Sequence, residues 1–329
     1  MRIAVFSTKS YDREYLDRFN ADAKHKLVYF EAPLNLDTAN LVQGFEGVCV
    51  FVNDKLDKAT IEAIANNGVR LIVLRCAGFN NVDLDAAKQF NIAVHRVPAY
   101  SPHAVAEHAV ALILTLARKT HKAYNRIREN NFSLERLTGF NIYGKTVGVV
   151  GTGKIGEVFC RIMLGFGARV IAYDVAENAE LIKAGVEYTT PGELMKRSDI
   201  ISLHCPLNKD TRYMVNKETI SRMKKGVMLI NTSRGGLINT RDVLVALKQE
   251  KIGNLGIDVY EQEEKLFFHD LSESIPEDEI IGRLISFPNV LITAHQGFFT
   301  HEALEQIALT TITNISGAEK GRITGNEVL

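Results

Sequence analysis

The sequence lacks an excess of either charge, since its 329 residues include 39 Lys plus Arg and 39 Asp plus Glu. Proteins whose main partner is nucleic acid normally carry a basic surplus, so this balance argues against that class of function. Nearly half of the residues are hydrophobic and about a quarter are charged, which is the composition of a folded globular protein. The chain is long enough for about two domains of ordinary size, each with its own core.

Long hydrophobic runs are also missing. The most apolar stretch, residues 109–117, is too short to span a bilayer and is followed by Arg118 and Lys119. The N-terminus enters an apparent strand at residues 1–6, without the longer apolar run and the cleavage site of a signal peptide. We therefore expect no membrane partner and a cytoplasmic location.

Cysteine is scarce, and the four cysteines lie far apart in the chain. No cysteine pair and no Cys/His cluster has the spacing of a zinc site, so we expect no metal. The adjacent His204 and Cys205 are poorly placed to form a thiol–imidazole pair, because neighbours in a strand point to opposite faces. We expect buried free thiols at Cys49, Cys76, Cys160 and Cys205.

Short β-branched runs alternate with helix-length segments in the first hundred residues. Strands separated in this way need crossover connections, which predicts a parallel sheet and an α/β domain. The predicted strands cover residues 3–7, 27–30, 47–52, 71–75 and 92–96, and predicted helices include 11–20 and 58–66.

A long helix is predicted next, from Pro102 to about residue 130, with Ser101 as its N-cap and no Gly or Pro to interrupt it. Residues 104–114 are apolar on nearly every side, so this part must be buried between domains or between subunits. We interpret the helix as the crossing into a second domain. Because an exposed apolar stripe favours aggregation, we also expect residues 102–118 to form the interface of a homo-oligomer.

The second domain repeats the alternation of strands and helices. Its predicted strands cover residues 145–150, 169–173, 200–203, 227–231, 255–259 and 290–293. A last helix, at about residues 300–317, can pack back on the first domain and make that domain discontinuous. The expectation is an α/β fold with two parallel-sheet domains, one formed by residues 1–100 plus 299–329 and one by residues 101–298.

A glycine-rich turn opens the second domain. Gly151, Gly153 and Gly156 have the G-x-G-x-x-G spacing, follow an apolar strand and precede a helical segment. In a dinucleotide-binding turn the first glycine permits the tight turn, the second lets the backbone approach the pyrophosphate, and the third lets helix and sheet pack closely. The free N–H groups at the start of the helix then face the phosphates.

An acidic residue, Asp174, ends the next predicted strand, as this type of site requires. Its carboxylate can accept hydrogen bonds from both adenosine ribose hydroxyls and would repel a 2′-phosphate, and no arginine follows it closely. We therefore expect NAD rather than NADP as the cofactor. Two alternatives stay open at this point: Asp174 simply ends a strand, or the turn belongs to a methyltransferase, which also uses a glycine-rich first turn.

Three polar residues, Arg234, Glu263 and His295, follow the ends of three predicted strands of the second domain. The carboxyl ends of parallel strands border one crevice, which is also where a dinucleotide lies. Reduction of a 2-keto acid needs a cation for the substrate carboxylate, and arginine is a planar, two-pronged donor. It also needs a proton donor for the carbonyl oxygen, and histidine is the side chain that changes charge near neutral pH. Glu263 would hydrogen-bond the other imidazole nitrogen and favour the protonated ring.

Each of these residues also has an ordinary structural explanation. Arg234 could cover a helix C-terminus, Glu263 is one of several acids in residues 261–264, and His295 could be an interior histidine with satisfied hydrogen bonds. Their joint placement behind a dinucleotide-type turn favours the catalytic interpretation.

The sequence resembles the D-isomer-specific 2-hydroxyacid dehydrogenases along essentially its whole length, and within them the bacterial fermentative branch that acts on D-lactate. Besides the glycine turn, the matching blocks are residues 74–83, 96–102, 106–109, 202–207, 231–235, 258–263 and 294–296. The resemblance implies a Rossmann-type NAD-binding domain and a smaller flavodoxin-like substrate domain, with the active site in the cleft. It also implies reversible, NADH-dependent reduction of a small 2-keto acid, with pyruvate as first choice, in a homodimer or homotetramer.

The resemblance extends to individual site residues. Arg234, Glu263 and His295 match the family's catalytic arginine, glutamate and histidine. Besides the three glycines, cofactor contacts are implied at Lys154, Ile155, Asp174, Cys205, Pro206, Thr211, Thr232, Ser233, Arg234 and Asp258. Substrate contacts are implied at Ala77, Gly78, Tyr100, Arg234, His295, Phe298 and Phe299, and the two phenylalanines lie where lactate-type members narrow the pocket. At Thr211 the sequence departs from relatives that carry an asparagine.

Two other functions stay open on the sequence. A relative acting on a bulkier, branched-chain 2-keto acid would share these residues. A dinucleotide-sensing regulator that works by binding partners could keep the fold. The intact set of Arg234, Glu263 and His295, and the lack of a long basic or disordered extension, argue against the regulator.

Overall fold

The structure, a computed structural model, describes residues 1–263, 266–268, 270–273 and 278–329. These residues form two compact units. The first unit contains Met1–Ser101 and Phe298–Leu329, and the second unit contains Pro102–Gly297. Each unit has one sheet whose strands pair in parallel, with helices between the strands, which confirms the predicted α/β class.

The elements follow each other in the alternation that the sequence predicts. The strands are β1 (Arg2–Val5), β2 (Lys26–Tyr29), β3 (Gly47–Val50), β4 (Leu71–Leu74), β5 (Ala93–Arg96), β6 (Thr146–Val150), β7 (Arg169–Tyr173), β8 (Glu187–Tyr188), β9 (Ile200–Leu203), β10 (Val227–Asn231), β11 (Ile252–Ile257) and β12 (Val290–Ile292). The helices are α1 (Ser10–Asn20), α2 (Lys58–Asn66), α3 (Leu84–Gln89), α4 (Pro102–Arg118), α5 (Thr120–Arg128), α6 (Lys154–Gly165), α7 (Ala179–Lys183), α8 (Pro191–Arg197), α9 (Lys217–Arg222), α10 (Thr240–Lys248), α11 (Glu279–Ser286) and α12 (His301–Glu319). The predicted strands are all present with small shifts at their ends, and β8 is too short for a periodic pattern to detect.

The first unit is built on a five-stranded sheet with the order β2-β1-β3-β4-β5. Every residue of β3 and β4 is buried, because helices cover both faces of a parallel sheet. The N-cap of α12 is Thr300, whose hydroxyl accepts a hydrogen bond from the Ala303 amide at 3.3 Å. This helix packs on α1 and buries Ile307 and Ile312 in the core of the first unit.

The second unit is built on a seven-stranded sheet with the order β12-β11-β10-β9-β6-β7-β8. The chain moves from β6 outward to β7 on one side, and later returns to β9 on the other side of β6. This reversal of direction opens a crevice at the carboxyl ends of β6 and β9, where parallel sheets bind their ligands. The strand order of the second unit therefore indicates that its ligand site lies at the carboxyl ends of β6 and β9.

The prediction of one long helix from Pro102 to about residue 130 is wrong. The helix is divided into α4 and α5 at Lys119, whose backbone adopts a left-handed conformation with φ of 53°. The carbonyl of Ala117 accepts a hydrogen bond from the Phe140 amide at 3.1 Å instead of continuing the helix. A contact with a later segment ends the helix, and local sequence periodicity does not contain that information.

The apolar helix α4 is covered inside its own unit. Its side chains pack on α6, β10 and β11, and Ala109, Leu112 and Ile113 belong to one buried cluster with Val147 and Phe159. The argument that this helix needs a partner subunit to cover it is therefore wrong.

No helix among the described residues is both long and apolar enough to cross a membrane. The four cysteines are free and buried, as predicted. Burial raises the pKa of Cys49 to about 11 and that of Cys160 to about 12, so these thiols stay protonated at neutral pH.

Candidate active site

The glycine turn lies directly after β6, and two of its glycines are required by the chain itself. Gly151 has φ of +93°, and a Cβ there would come within 2.7 Å of the Cys205 amide nitrogen. A Cβ on Gly156 would come within 2.0 Å of the Gly151 carbonyl oxygen. The close approach of β6, β9 and α6 therefore depends on both glycines.

At Gly153, neither the backbone conformation nor the packing requires a glycine. It is the N-cap of α6, its φ of −62° suits any residue, and a Cβ there would meet no atom within 4 Å. A glycine that faces open space at a helix N-terminus fits the close approach of a pyrophosphate to the backbone. Lys154 and Ile155 begin the helix beside it, the first exposed and the second half-buried. These residues fit the dinucleotide that the sequence predicts.

Asp174 follows β7 and is tied to the glycine turn. One carboxylate oxygen accepts a hydrogen bond from the Thr152 amide at 2.5 Å, and the other accepts from the Val175 amide at 2.7 Å. The carboxylate therefore stabilises the turn around Thr152 as well as ending the strand. It stays half-exposed at the carboxyl edge of the sheet, where lone pairs remain for a ribose.

The ends of β9 and β10 are joined by side-chain hydrogen bonds. The Ser233 hydroxyl donates to the Cys205 carbonyl at 2.7 Å, and the Thr211 hydroxyl donates to the Pro206 carbonyl at 2.7 Å, closing the loop after β9. The buried Thr232 hydroxyl has no hydrogen-bond partner among the described residues. A buried hydroxyl without a partner at this edge also fits a bound cofactor.

His204 and Cys205 do not pair with each other. The His204 ring forms a hydrogen bond with the Ser202 hydroxyl at 2.9 Å, and the Cys205 thiol donates to the Met214 sulfur at 3.6 Å. Burial raises the pKa of Cys205 to about 11, so it is not a nucleophile at neutral pH.

Arg234 lies just beyond β10, in a turn that is fixed by a hydrogen bond and by close packing. The side-chain amide of Asn231 donates to the Arg234 carbonyl at 2.8 Å, and a Cβ on Gly235 would come within 2.2 Å of the Tyr260 backbone. The guanidinium uses one donor on the Ser233 carbonyl at 2.7 Å and forms no ion pair with any described residue. Most of its five donors are therefore available for an anion.

Glu263 and His295 form a hydrogen-bonded pair. The Nδ1 atom of His295 lies 2.9 Å from one carboxylate oxygen of Glu263, and the other oxygen accepts from the Tyr260 amide at 2.9 Å. The two side chains are 22% and 18% exposed, so they border solvent without being buried. The Nε2 atom of His295 has no hydrogen-bond partner in the described part of the chain. This pair can orient an imidazole and hold its positive charge.

The neighbouring acids do not take the place of Glu263. One carboxylate oxygen of Glu261 accepts from the amide and the hydroxyl of Thr240, at 2.9 and 2.5 Å. Glu264, the other alternative, lies outside the described residues.

Asp258 has a role that the sequence did not indicate. Its carboxylate accepts from the amides of Gln296 and Gly297, at 2.9 and 2.8 Å, and from the Thr293 hydroxyl at 2.6 Å. Burial would raise its pKa, but hydrogen bonds from His108 and Thr293 outweigh that effect and lower it. The ionised carboxylate therefore fixes the turn that follows β12, which includes His295. His108, on α4, was not singled out, because a single histidine on a helix gives no signal in the sequence.

The predicted substrate residues of the first unit lie in two places. Ala77 and Gly78 follow β4, and the Ala77 carbonyl accepts a hydrogen bond from the Arg96 guanidinium at 2.9 Å. The rings of Tyr100 and Phe299 both contact Phe298, with centroids 6.1 and 6.0 Å apart.

Two further aromatic residues join this cluster. The Phe51 ring lies 6.0 Å from Phe298, and the Tyr11 ring lies 4.7 Å from Phe299. Neither residue was predicted to belong to the site, because the segments that bring them there are far apart in the sequence.

Among the described residues, no group of three or more His, Cys, Asp or Glu side chains could hold a metal ion. Arg234, Glu263 and His295 follow β10, β11 and β12 of the second unit, whose β6 is followed by a turn suited to a dinucleotide.

Comparisons with known proteins identify a family, related sequences and similar structures. The family model for the D-isomer specific 2-hydroxyacid dehydrogenase NAD binding domain matches residues 110–297. The D-lactate dehydrogenase of Escherichia coli K12 is 50% identical over 329 residues, which is 100% of both chains. The structure of the pyruvate reductase of Chlamydomonas reinhardtii matches with a TM-score of 0.95 at 45% identity, covering 99% of this chain and 98% of that one. The Aquifex aeolicus D-lactate dehydrogenase complexed with NAD and lactic acid matches with a TM-score of 0.88 at 36% identity, over 99% and 98% of the two chains.

Proposed function

The chain belongs to the D-isomer-specific 2-hydroxyacid dehydrogenase family, and we propose that it reduces pyruvate to D-lactate with NADH, in a reversible reaction. As a member it is an NAD-dependent oxidoreductase whose second unit binds NAD. Pyruvate is supported by the relatives, one of which is a D-lactate dehydrogenase and another a pyruvate reductase. The observation that carries the proposal is the Glu263–His295 pair, because it leaves Nε2 able to give a proton at the sheet edge that carries Arg234.

Each of the three catalytic residues has one task in this proposal. Arg234 binds the carboxylate of the keto acid through two parallel N–H bonds. His295 gives its Nε2 proton to the carbonyl oxygen, while Glu263 holds the ring and balances its charge. Bound NADH supplies the hydride for the carbonyl carbon. In the oxidation direction the neutral His295 takes the proton back from the hydroxyl group.

The cofactor contacts proposed here follow the geometry of the second unit. The pyrophosphate would lie at Gly153 and the start of α6, and the adenosine ribose at Asp174. The remaining contacts are assigned to Gly151, Lys154, Ile155, Gly156, Cys205, Pro206, Thr211, Thr232, Ser233, Arg234 and Asp258.

The first unit, residues 1–101 and 298–329, supplies the remaining substrate contacts in this proposal as its substrate domain. Ala77 and Gly78 offer backbone groups to the substrate carboxylate, and Tyr100 lies next to Phe298. Phe298 is only 8% exposed and is held by rings on several sides, so it cannot easily move to admit a longer side chain. We therefore expect the keto acid to carry a methyl group, as pyruvate does.

Self-association is also proposed, on a different surface from the one expected. In the second unit, the segment from α5 to the start of β6 exposes large apolar side chains. Large apolar side chains exposed within one segment are typical of an interaction site. Its members, exposed by 55–81%, are Tyr124, Ile127, Phe132, Leu134 and Tyr143.

A test of self-association is light scattering at micromolar concentration. The wild type should be a dimer or tetramer, and a Phe132→Ser/Leu134→Ser double variant should dissociate at concentrations where the wild type does not. A monomeric wild type would exclude self-association.

We also assign the activity to the cytoplasm, because four free thiols are typical of a reducing compartment.

The proposed reaction is tested by NADH oxidation with 2-keto acids of increasing size, followed by chiral analysis of the product. Pyruvate should give D-lactate with the highest kcat/KM. A branched-chain keto acid as the best substrate would favour the bulkier-substrate relative, and no turnover with any keto acid would favour a regulator.

Arg234→Gln should remove most activity while NADH still binds, because losing one partner of a charge pair costs roughly 2–5 kcal/mol. The matched control is Arg241→Gln, which removes an exposed arginine of α10. Equal activities of the two variants would exclude Arg234 from the site.

A further inference from the structure

The second unit has a cavity at the edge of the sheet opposite the dinucleotide turn. It has a volume of about 630 Å³ and lies at the starts of β6, β7 and β8, where Thr146, Arg169 and Glu187 border it. The glycine turn follows the other end of β6, about 15 Å away at the usual rise of a strand. This cavity is therefore separate from the candidate active site.

The cavity is lined by four cations and one carboxylate. The cations are Arg169, Lys196, Arg197 and Lys224, and the carboxylate is Glu187. Such a surplus in a concave surface concentrates anions, because the low-dielectric walls focus the field.

Two of the cations are held in place by carboxylates. Arg197 makes a two-pronged contact with Glu187, at 2.6 and 2.8 Å, and Lys224 contacts Asp199 at 2.8 Å. Asp199 is itself fixed, since it accepts a hydrogen bond from the Thr146 amide at 2.8 Å. Arg197 and Lys224 keep further N–H donors, so these pairs orient the cations without using them completely.

The other two cations have no comparable partner. The Arg169 guanidinium has no ion pair or hydrogen bond with any described residue. Lys196 lies 3.7 Å from Glu193, and both side chains are at least half exposed, so this pair contributes little. On the wall of the cavity, Arg169 therefore stays unpaired among the described residues and Lys196 is only loosely paired.

Helix capping does not explain the cluster. Lys196 and Arg197 end α8, where cations offset the negative end of a helix. Arg169 begins a strand, however, and Lys224 lies between α9 and β10, so neither serves that purpose.

We propose that this cavity, bordered by Arg169, Lys196, Arg197 and Lys224, binds a small phosphorylated molecule with at least two phosphoryl groups. Arginine matches a phosphate with two parallel N–H bonds, and lysine adds a mobile point charge. The volume is that of a small-molecule site. The proposal does not depend on which keto acid the enzyme reduces.

The probe for this site is inorganic pyrophosphate, titrated by calorimetry at constant ionic strength into protein saturated with NADH. Saturation with NADH prevents pyrophosphate from binding at the dinucleotide turn. We expect one saturable site, with pyrophosphate bound more tightly than orthophosphate because its two phosphoryl groups can contact both Arg169 and Lys196. No saturable binding, or equal affinities of the two anions, would overturn the proposal.

An Arg169→Gln/Lys196→Gln double variant should lower the pyrophosphate affinity about tenfold or more, as expected for lost charge-assisted hydrogen bonds. The control is Lys217→Gln/Lys248→Gln, which removes two exposed lysines of the same unit and makes the same change in net charge. Both variants should keep the NADH affinity and the basal turnover of the wild type. An equal loss of pyrophosphate affinity in both would show a diffuse charge effect and contradict a site at the cavity.

Discussion

The backbone carbonyl of Asp258 accepts a hydrogen bond from the amide of His295 at 2.8 Å. His295 has φ of 54°, a left-handed conformation that costs roughly 1–2 kcal/mol for a residue other than glycine. The Asp258 carboxylate offsets this cost by accepting from the next two amides, those of Gln296 and Gly297. Asp258 thereby holds the proposed acid in a conformation that the backbone alone would not favour.

The first prediction follows from this clamp. In Asp258→Asn one carboxylate oxygen becomes an NH₂ group, which cannot accept from the Gln296 or Gly297 amide. We expect kcat to fall about 10- to 100-fold, since a small misplacement of a catalytic group has this effect, while the Kd for NADH changes less. Steady-state kinetics and NADH fluorescence titration measure the two quantities.

The control for the clamp is Thr293→Val, which removes a donor to the Asp258 carboxylate without touching the turn amides. It should lose much less activity than Asp258→Asn. If both variants keep the wild-type kcat, the turn holds His295 without the carboxylate.

The second prediction concerns Gly153, the glycine that faces open space. Gly153→Ala should leave thermal stability near that of the wild type and weaken NADH binding by about tenfold or more, because a methyl group would stand where the pyrophosphate approaches. The measurements are the Tm and the Kd for NADH.

Gly165→Ala is the matched control, since Gly165 ends the same helix and a Cβ there also meets no atom within 4 Å. This variant should bind NADH normally and be as stable as the wild type or slightly more so, because glycine in a helix costs about 0.5–1 kcal/mol relative to alanine. Normal NADH binding by Gly153→Ala would contradict the proposed position of the pyrophosphate.

The sequence predicted the strands and their parallel pairing well, because buried parallel strands are short apolar runs with clear boundaries, such as residues 200–203. It also placed Arg234, Glu263 and His295 at strand ends, because the carboxyl ends of parallel strands share one edge. The break at Lys119 could not be predicted, since its cause is the hydrogen bond between Ala117 and Phe140, far along the chain.

The same limit applies to the candidate site. The Asp258 clamp and the contact of Tyr11 with Phe299 depend on tertiary structure, which no motif records. The partner of α4 was predicted wrongly for a related reason. An apolar helix indicates that another part of the molecule covers it, but the sequence does not say which part. Here the sheet of its own unit covers it.

The third prediction concerns the choice between NADH and NADPH. Asp174→Asn keeps an acceptor for the Thr152 amide but removes the negative charge that would repel a 2′-phosphate. We expect weaker NADH binding and a clearly smaller ratio of kcat/KM for NADH over NADPH. Glu180→Gln, which removes an exposed charge from α7, should leave that ratio unchanged. Equal use of NADH and NADPH by the wild type would show that the charge of Asp174 does not discriminate.

The last prediction concerns the pairing of Glu263 with His295. Glu263→Gln removes the negative charge that lies 2.9 Å from Nδ1 of His295 and balances the ring while it carries the proton for the substrate. We expect kcat to fall while the Kd for NADH stays near that of the wild type, because the cofactor is proposed to lie at the glycine turn and Asp174. Steady-state kinetics and NADH fluorescence titration measure the two quantities.

His295→Gln tests the same pair by replacing the imidazole. The kcat of this variant should fall on the order of 10²- to 10⁴-fold, the usual contribution of a positioned acid–base group. The control is Glu261→Gln, because the Glu261 carboxylate is bonded to Thr240 rather than to the imidazole. This variant should keep the wild-type kcat. Should Glu263→Gln also keep the wild-type kcat, Glu263 does not support His295 in catalysis, and Glu264 becomes the acid to replace next.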